Sequence, residues 1–390
     1  MPRVSLTGND AGAEAFRQIN PDVVPAYPIT PQTELMHKFA DFVANGIVDT
    51  EMILVESEHS AMSAAVGASA AGARTMSATS ANGLALMHEI LYCASGNRLP
   101  IVLAEINRAL SAPINIHCDH SDTMGSREAG WIQIYVEDSQ EVYDSLIMAM
   151  RIAENPEVML PVMVNFDGFV ISHTNQVLDT LEDADVAKFV GEYQPKNMLL
   201  DIANPKTYGP LDLQDYYFEH KRQQSEAMKR VPNTIIKVCE EYSAISSRQY
   251  GLIERYKLDD AEIAIVVLGS TAGTTKVVVD ELRDSGIKAG LVKIRLFRPF
   301  PGREIAEALR NVKAIAVLDR SETFSNQGGP VFIETKAALY GGNTPIVDYI
   351  YGLGGRDIDT TMIGQVFTDL QHIVKEGPTE EMVHFLGVRE

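Results

Sequence analysis

Short apolar segments alternate with helical segments in two blocks of the 390-residue chain, and this alternation constrains the fold more than any other feature. Alternating strands and helices are typical of parallel sheets that are covered by helices on both faces. The sequence therefore predicts an α/β protein with two doubly wound domains. The predicted strands are 23–24, 52–55, 75–79, 100–105 and 160–165 in the first block, and 263–268, 289–294 and 314–319 in the second.

The alternation lapses between the two blocks, over 194–232. This stretch is either an excursion that packs on a neighbouring subunit or a surface loop with a helix, and the sequence favours neither. With this division we predict a first domain at 1–235, a connecting helix at 236–258, a second domain at 259–375 and a C-terminal tail at 376–390.

Charge and hydropathy exclude several classes of partner. The net charge is −20 and the pI is about 4.9, which opposes binding to a nucleic-acid backbone and permits docking of a basic protein surface. The N-terminal residues have no apolar signal core, and no apolar run approaches the length of a membrane span. We therefore expect a cytoplasmic protein without nucleic-acid or membrane partners.

The three cysteines, Cys93, Cys118 and Cys239, are too far apart for a Cys-x-x-Cys pair. Their spacing fits neither an iron–sulfur cluster nor a structural zinc site. If the chain serves redox chemistry, its electron carriers are on another polypeptide.

A loop with two prolines, Tyr27-Pro28-Ile29-Thr30-Pro31, follows the first predicted strand. The prolines fix φ at two points, and Thr30 could cap a helix that begins at Pro31. Such a helix would present free N–H groups to an anion. The alternative interpretation is a rigid strand-to-helix turn without a ligand.

Two charged residues further along the sequence, Glu58 and Arg108, are candidates for a functional site. Glu58 begins a helix made largely of Ala, Ser and Gly, whose small side chains would let a flat ring approach. Arg108 follows a strand, where ligands of open α/β sheets bind, and its guanidinium suits a carboxylate. From the residues alone, an ordinary surface charge is the commoner interpretation of each.

Several sequence blocks, in order along the chain, carry a resemblance to a known family. The chain resembles the α subunits of pyruvate:ferredoxin oxidoreductases, in the thiamine-diphosphate-dependent 2-oxoacid:ferredoxin oxidoreductase family. The resemblance implies a pyrimidine-binding domain followed by a transketolase-C-terminal-like domain. The blocks are 27–32, 55–61, 107–113, 119–122, 166–169, 267–273 and 295–300.

The resemblance also implies roles for individual residues. Glu58 matches the family's glutamate that hydrogen-bonds the pyrimidine of thiamine diphosphate and activates the cofactor. Arg108 matches the arginine that binds the 2-oxoacid, and Thr30 matches a residue that touches the substrate. The implied cofactor-binding set is Tyr27, Pro28, Ile29 and Glu58.

One motif of these enzymes is absent. The sequence has no Gly-Asp-Gly segment, which the family uses with an Asn to hold Mg²⁺ and the diphosphate. The resemblance therefore implies that this chain shares thiamine diphosphate with a β subunit and holds no metal itself. It further implies Mg²⁺ and 4Fe-4S clusters on partner subunits, γ and δ subunits, ferredoxin as electron acceptor and CoA as co-substrate.

The implied reaction is the oxidative decarboxylation of pyruvate to acetyl-CoA. A sibling enzyme for 2-oxoisovalerate, 2-oxoglutarate or oxalate stays open, although the uncharged Thr30 argues against oxalate. A non-catalytic scaffold subunit and a two-subunit decarboxylase without redox partners are further alternatives.

Four other motifs are weaker. The segment 117–122 is dense in metal-ligand residue types, but the resemblance makes it a loop near the active-site mouth. Asp167-Gly168 is read mainly as a structural turn. Gly269 to Thr274 looks like a phosphate cradle but lacks the full dinucleotide spacing, so we favour a structural role. Gly352 to Gly355 is predicted to be a plain loop.

Overall fold

The first of two large sheets organises the N-terminal half of the chain. In the computed structural model, which describes residues 1–378 and 380–389, this sheet has seven strands. Its edge strand β12 pairs antiparallel with β6, and the remaining neighbours are parallel. In spatial order the strands are β12 (Leu296–Arg298), β6 (Ile132–Tyr135), β7 (Val162–Asp167), β5 (Ile101–Asn107), β4 (Thr75–Thr79), β2 (Val23–Ala26) and β3 (Glu51–Leu54).

Helices cover both faces of this sheet because successive side chains of its central strands point to opposite sides. In β5, Val102 and Ala104 face one core, whereas Ile101 and Leu103 face the other. The first core packs under α1 (Gly8–Ile19), α2 (Thr33–Ala44), α6 (Ser139–Ala153), α7 (Asp183–Val190) and α8 (Tyr217–Ser246). The second packs under α3 (Glu58–Ala71) and α4 (Ala81–Gly96), and the short α5 (Ser121–Gly125) lies beside α4.

A second sheet of six strands repeats this architecture. Its β9–β11 pair is antiparallel and its other pairs are parallel. The strands are β15 (Val383–Leu386), β14 (Ile346–Tyr351), β13 (Ala314–Asp319), β10 (Ile263–Val267), β11 (Ala289–Ile294) and β9 (Ile253–Tyr256). The helices are α9 (Thr271–Asp284) and α12 (Thr360–Glu376) on one face, and α10 (Gly302–Ala308) and α11 (Pro330–Ala338) on the other. A ribbon of β1 (Arg3–Leu6) and β8 (Gln176–Asp179) completes the fold.

These two sheets confirm the predicted α/β class with two doubly wound units. Among the described residues, no helix is both long enough and apolar enough to cross a bilayer.

The segment boundaries differ from those predicted at three places. The single helix α8 replaces a separate polar helix and the connecting helix predicted at 236–258, and the chain then enters β9. Helix α8 runs through Pro232, because buried side chains such as Val231 and Ile235 pack it against the first core and override the local proline penalty. The segment 376–390, predicted to be a tail, contains β15, which extends the second sheet.

The third difference concerns how the two units are joined. Strand β12 lies between two strands of the second block in the sequence, but it adds to the first sheet through β6. The two units are thus connected by strand β12 as well as by helix α8.

The irregular stretch before α8 exposes an unusual amount of apolar surface. Ile202 is 93% exposed and Leu211 is 90% exposed, and six other large apolar side chains are also exposed. We call 199–218 the apolar arm; the six are Leu199, Leu200, Leu213, Tyr216, Tyr217 and Phe218. The Leu199 N–H donates to the carbonyl of Ala70 and the Gly209 N–H donates to Asn97 Oδ1, and these bonds tie the arm to the C-terminal ends of α3 and α4.

Candidate active site

The carboxyl ends of the parallel strands in the first sheet lie along one edge, and the candidate residues follow directly after them. Thr30 follows β2, Glu58 follows β3 and Arg108 follows β5. Two contacts bring the loops together: Arg108 Nη1 donates to the carbonyl of Thr30 at 2.9 Å, and the Ser111 backbone N–H donates to Asn82 Oδ1 at 3.4 Å. Parallel strands therefore gather the predicted residues at one edge, as open α/β sheets do.

The loop after β2 is held by Gln32, a residue that sequence reasoning missed. Its Oε1 accepts from the Ile29 N–H at 3.2 Å and its Nε2 donates to the carbonyl of Ala78 at 3.0 Å. Helix α2 begins at Thr33, so the predicted cap by Thr30 and helix start at Pro31 are wrong. The buried Gln32 amide ties residues 29–32 into a turn instead, and Thr30 is left exposed.

Tyr27, Pro28 and Ile29, the predicted cofactor-binding residues, lie on this loop. Tyr27 and Ile29 are half-buried and Pro28 is exposed. The loop is fixed from the other side by Asn9, whose Nδ2 donates to the carbonyl of Pro31 at 2.9 Å. It is therefore a preorganised surface beside the strand ends.

Glu58 occupies the first turn of α3, which is capped by the Ser57 side chain accepting from the Ser60 N–H. Its side chain is only 7% exposed. A Cβ at Gly83, in α4, would lie 2.9 Å from Glu58 Oε1, so the glycine makes room for the carboxylate. Within the described part of the chain, the Glu58 side chain has no hydrogen-bond or ion-pair partner. A buried carboxylate is costly unless it is paired, so its partner is expected to come from outside this chain.

Arg108 is 7% exposed and held in one orientation. Its Nε donates to the carbonyl of Asn115 at 2.8 Å, and Nη1 donates to that of Thr30. In the residues that the structure describes, Nη2 has no partner. The guanidinium is thus anchored on two sides and can offer donors to a carboxylate on the third.

A buried carboxylate holds the backbone behind Arg108. Asp122 Oδ2 accepts from the Arg108 N–H at 2.8 Å, and Oδ1 accepts from Asn107 Nδ2 at 2.9 Å. Burial raises the pKa of Asp122 to about 6, although these donors oppose the shift. Next to it, Glu105 on β5 is fully buried, and burial and the charge of Asp122 raise its pKa well above the ordinary value. Sequence reasoning missed both roles, although a glutamate inside the apolar run 101–106 was a visible signal.

The weak motifs of the second unit have structural roles. Asp167, at the end of β7, accepts from the Ser270 backbone N–H at 3.1 Å, so this chain's own carboxylate fills the apparent phosphate cradle. Arg320 Nη1 lies 2.9 Å from Asp167 Oδ2, and His120 Nε2 lies 2.7 Å from Oδ1. Burial would raise the pKa of Asp167, but His120 and Arg320 hold it well below the ordinary value.

The loop at 352–355 supports the loop that carries Arg108. Asn115 Nδ2 donates to the carbonyl of Gly354 at 2.9 Å, and the Gly354 N–H donates to Asp119 Oδ2 at 3.0 Å. The segment 117–122 therefore lies between the two units and close to Arg108, and its position near an active-site mouth stays a prediction.

Sequence models of known families match both units. Residues 14–240 match the model described as pyruvate flavodoxin/ferredoxin oxidoreductase, thiamine diphosphate-binding, and residues 261–363 match pyruvate:ferredoxin oxidoreductase core domain II. Among solved structures, the chain is similar to a 2-oxoglutarate:ferredoxin oxidoreductase from Magnetococcus marinus, with a TM-score of 0.75 and 19% identity. That match covers 94% of this chain and 65% of the other, so this chain spans less than two thirds of that protein.

Curated relatives match from end to end. The chain is 53% identical to "Pyruvate synthase subunit PorA" of Thermotoga maritima, over 100% of this chain and 98% of that protein. It is 48% identical to the Methanocaldococcus jannaschii protein of the same name, over 99% and 98%. It is 42% identical to "Ketoisovalerate oxidoreductase subunit VorA" of Pyrococcus horikoshii, over 98% of each chain. The predicted resemblance is thus confirmed, and the chain belongs to the pyruvate:ferredoxin oxidoreductase family.

Proposed function

We propose that this chain is the α subunit of a pyruvate:ferredoxin oxidoreductase, which converts pyruvate and CoA to acetyl-CoA and carbon dioxide and reduces ferredoxin. The observation that carries the proposal is the unpaired, buried carboxylate of Glu58 at the strand-end edge of a chain from this family. A scaffold that had lost its chemistry would have no reason to keep a carboxylate buried without a partner.

The residues at this edge fit the pyrimidine half of thiamine diphosphate. Glu58 would accept a hydrogen bond from a protonated ring nitrogen, and Gly83 leaves space beside its carboxylate. Tyr27, Pro28 and Ile29 would line the same half-site. When bound, the cofactor supplies a nucleophilic carbon that adds to a 2-oxo group and holds the electrons left by decarboxylation.

Arg108 and Thr30 would place the substrate. The free Nη2 of Arg108 can bind the substrate carboxylate, while its Nε and Nη1 keep the guanidinium plane fixed. Thr30 is exposed next to this group, where its hydroxyl can contact the substrate. Orientation of the carboxylate would align the scissile C–C bond for the loss of carbon dioxide.

A β subunit would complete the site, since the chain lacks the Gly-Asp-Gly segment for Mg²⁺ and the diphosphate. The surface around Glu58 suits such a partner. Leu54, on the edge strand β3, is 75% exposed, and Leu86 on α4 is 50% exposed. Strand β3 is thus an exposed edge rather than the buried strand predicted from the sequence. The half-exposed small residues of α3 connect this surface to the apolar arm, so one partner could cover both.

The electron carriers are also proposed to be external. The cysteines are free and far apart in the sequence, so iron–sulfur clusters would lie on β, γ or δ subunits and pass electrons singly to ferredoxin. The net charge of −20 favours a basic docking surface on these partners. The cytoplasmic location stays a prediction from the sequence.

A substrate panel on the assembled complex tests the proposal. Complex co-expressed with its partner subunits should reduce ferredoxin with pyruvate, CoA and thiamine diphosphate, at a kcat/KM at least about tenfold above that with 2-oxoisovalerate or 2-oxoglutarate. A preference for 2-oxoisovalerate would assign the chain to the sibling enzyme instead. Decarboxylation without ferredoxin reduction would favour a simple decarboxylase. If the complex turned over no 2-oxoacid, the chain would instead be a non-catalytic scaffold subunit.

A further inference from the structure

Two buried carboxyl groups, Glu105 and Asp122, lie behind the proposed substrate arginine. Glu105 is 0% exposed at the centre of the first sheet, between Thr79 of β4 and Asn165 of β7. Neither oxygen of its carboxylate receives a hydrogen bond from the described residues. Such a group is a poor structural element when ionised, because an unpaired buried charge is costly.

The donors around the pair favour Asp122 instead, although the Ala81 N–H also lies close enough to Glu105 to lower its pKa. Its Oδ2 accepts from the Arg108 N–H at 2.8 Å and from the Ala81 N–H at 3.2 Å. Its Oδ1 accepts from Asn107 Nδ2 at 2.9 Å and from the Thr123 N–H at 2.7 Å. Four donors stabilise Asp122 as the anion of the pair.

A single proton, held by one of the two carboxyl groups, allows them to hydrogen-bond to each other. Glu105 and Asp122 are close enough to hydrogen-bond each other, but two carboxylates are both acceptors and cannot do so. With a proton on Glu105, its O–H donates to Asp122, and the buried charge is reduced from two to one. Burial and the charge of Asp122 raise the pKa of Glu105 well above the ordinary value, which favours the protonated form of Glu105.

The pair sits between the supports of both proposed catalytic residues. Asp122 fixes the backbone of Arg108, and through Ala81 it also fixes the start of α4. Helix α4 carries Gly83, against which the Glu58 carboxylate lies. A change of charge at the pair would therefore first displace the loop that orients Arg108.

The other groups that face the pair do not replace this proton. Thr79 from β4 and Asn165 from β7 are uncharged, and their side-chain polar atoms have no partner in the described chain. Asp119 adds negative charge near Asp122, and the Tyr135 phenol from β6 bonds to Thr123.

We propose that Glu105 and Asp122 are positioning residues that share one buried proton, and that this proton keeps Arg108 oriented for the carboxylate of the substrate. This inference rests on the proposed function. It adds a requirement that the family resemblance does not state, namely that substrate binding weakens when Glu105 loses its proton.

Two substitutions of Glu105 distinguish the effect of its proton from the effect of its side-chain volume. In Glu105→Gln, the amide N–H can donate to Asp122 as the protonated acid does, so KM for pyruvate near pH 7 should stay within about twofold. In Glu105→Leu the donor is lost at similar volume, so KM should rise about tenfold with a smaller change in kcat. Glu154→Gln is the matched control, since Glu154 pairs with Arg74 at the other end of the sheet.

The pH profile gives a readout that a merely structural role would not move. In the wild-type complex, KM for pyruvate should rise with increasing pH as Glu105 ionises, and in Glu105→Gln this rise should be absent. Equal profiles for these two proteins, or equal KM values for Glu105→Gln and Glu105→Leu, would overturn the proposal.

A second measurement does not depend on turnover. Because the folded-state pKa of Glu105 is raised, the full chain should lose stability relative to Glu105→Gln as pH rises above about 4.5, by up to about tenfold in the unfolding constant per pH unit. If the complex turned over no 2-oxoacid, the proposed function would fail while this difference still established the buried proton. Parallel stability curves would show that Glu105 carries no such proton and would remove the proposal.

Discussion

The carboxyl edges of the two sheets are built alike but end in different chemical states. At the edge of the first sheet, Glu58 has no partner in the described chain and Arg108 keeps one nitrogen free. At the edge of the second, Asp319 accepts from the N–H groups of Val331 and Phe332 at the start of α11, and Asp167 fills the turn before α9. The first edge is left open, and the second is closed by its own Asp319 and by Asp167, which reaches it from the end of β7 in the first sheet.

This difference shows why the fold alone does not locate a site. Both edges have loops, glycines and helix N-termini where an anion could bind. In the described chain, the first edge combines the unpaired Glu58 carboxylate and the free Arg108 nitrogen with exposed apolar residues such as Leu54, whereas the unpaired Asp348 Oδ1 of the second unit is buried within β14. Unused capacity therefore indicates the edge that meets a ligand or a partner, and the following changes test the contrast.

The largest effect is expected for Glu58→Gln in the assembled complex. The amide cannot accept a proton from the cofactor, so turnover of pyruvate should fall by about 10²- to 10⁴-fold, the usual range for an acid–base group. Thermal stability of the chain should not fall, because the carboxylate has no partner to lose.

Glu304→Gln provides the matched control, since Glu304 lies in the first turn of α10 in the second unit. Its turnover should stay within about twofold of wild type. Full turnover in Glu58→Gln would show that the open edge is not the cofactor site.

Much of the fold could be predicted because apolar patterning is strong where strands are buried. The strands at 75–79, 289–294 and 314–319 were predicted with the bounds that the structure shows. Short edge strands such as β15 were missed, because an edge strand needs little burial and leaves a weak pattern. The buried strands β6 and β14 were missed as well. The pairing of β12 with β6 could not be predicted from the sequence either, because it depends on a contact between the two units.

The site was predictable only in part. Glu58, Arg108 and Thr30 were predicted as site residues through a family resemblance, and the structure places Thr30 and Arg108 in direct contact. The residues that hold them, such as Gln32 and Asp122, act through partners far away in sequence. No local pattern reports such partners; the turn at Gly269 to Thr274, for example, is filled by Asp167, which lies 103 residues before Ser270.

At the closed edge, Asp167→Asn should lower the free energy of unfolding of the full chain by about 3 kcal/mol, since it leaves Arg320 and His120 buried without their counter-charge. The pKa of Asp167 is lowered by folding, so its contribution is present above about pH 4 and is lost as pH falls through the folded value. Denaturant unfolding of both proteins at several pH values measures this difference.

Asp183→Asn is the control for this experiment, because Asp183 also pairs with an arginine but is 67% exposed. A surface pair of this kind should contribute no more than about 1 kcal/mol. Equal losses of unfolding free energy in Asp167→Asn and Asp183→Asn would mean that burial does not strengthen the contacts of Asp167 with Arg320 and His120.

At the open edge, Gly83→Ala should reduce turnover about tenfold. The new methyl group would lie 2.9 Å from Glu58 Oε1 and would collide with Thr79 Oγ1, so the carboxylate must shift. Gly364→Ala in α12 meets no atom within 4 Å, and it should keep full turnover with equal or slightly higher stability. Unchanged turnover in Gly83→Ala would show that the position of the carboxylate is not critical.

The smallest effect is expected for Ser270→Ala, which removes one hydroxyl donor to Asp167. Asp167 keeps the Ser270 backbone N–H, His120 and Arg320, so the loss should be about 1 kcal/mol of unfolding free energy, with turnover within about twofold. Ser285→Ala, at the exposed end of α9, should change stability by less than about 0.5 kcal/mol. A large fall in turnover for Ser270→Ala would mean that the second edge also takes part in catalysis, and the contrast between open and closed edges would no longer hold.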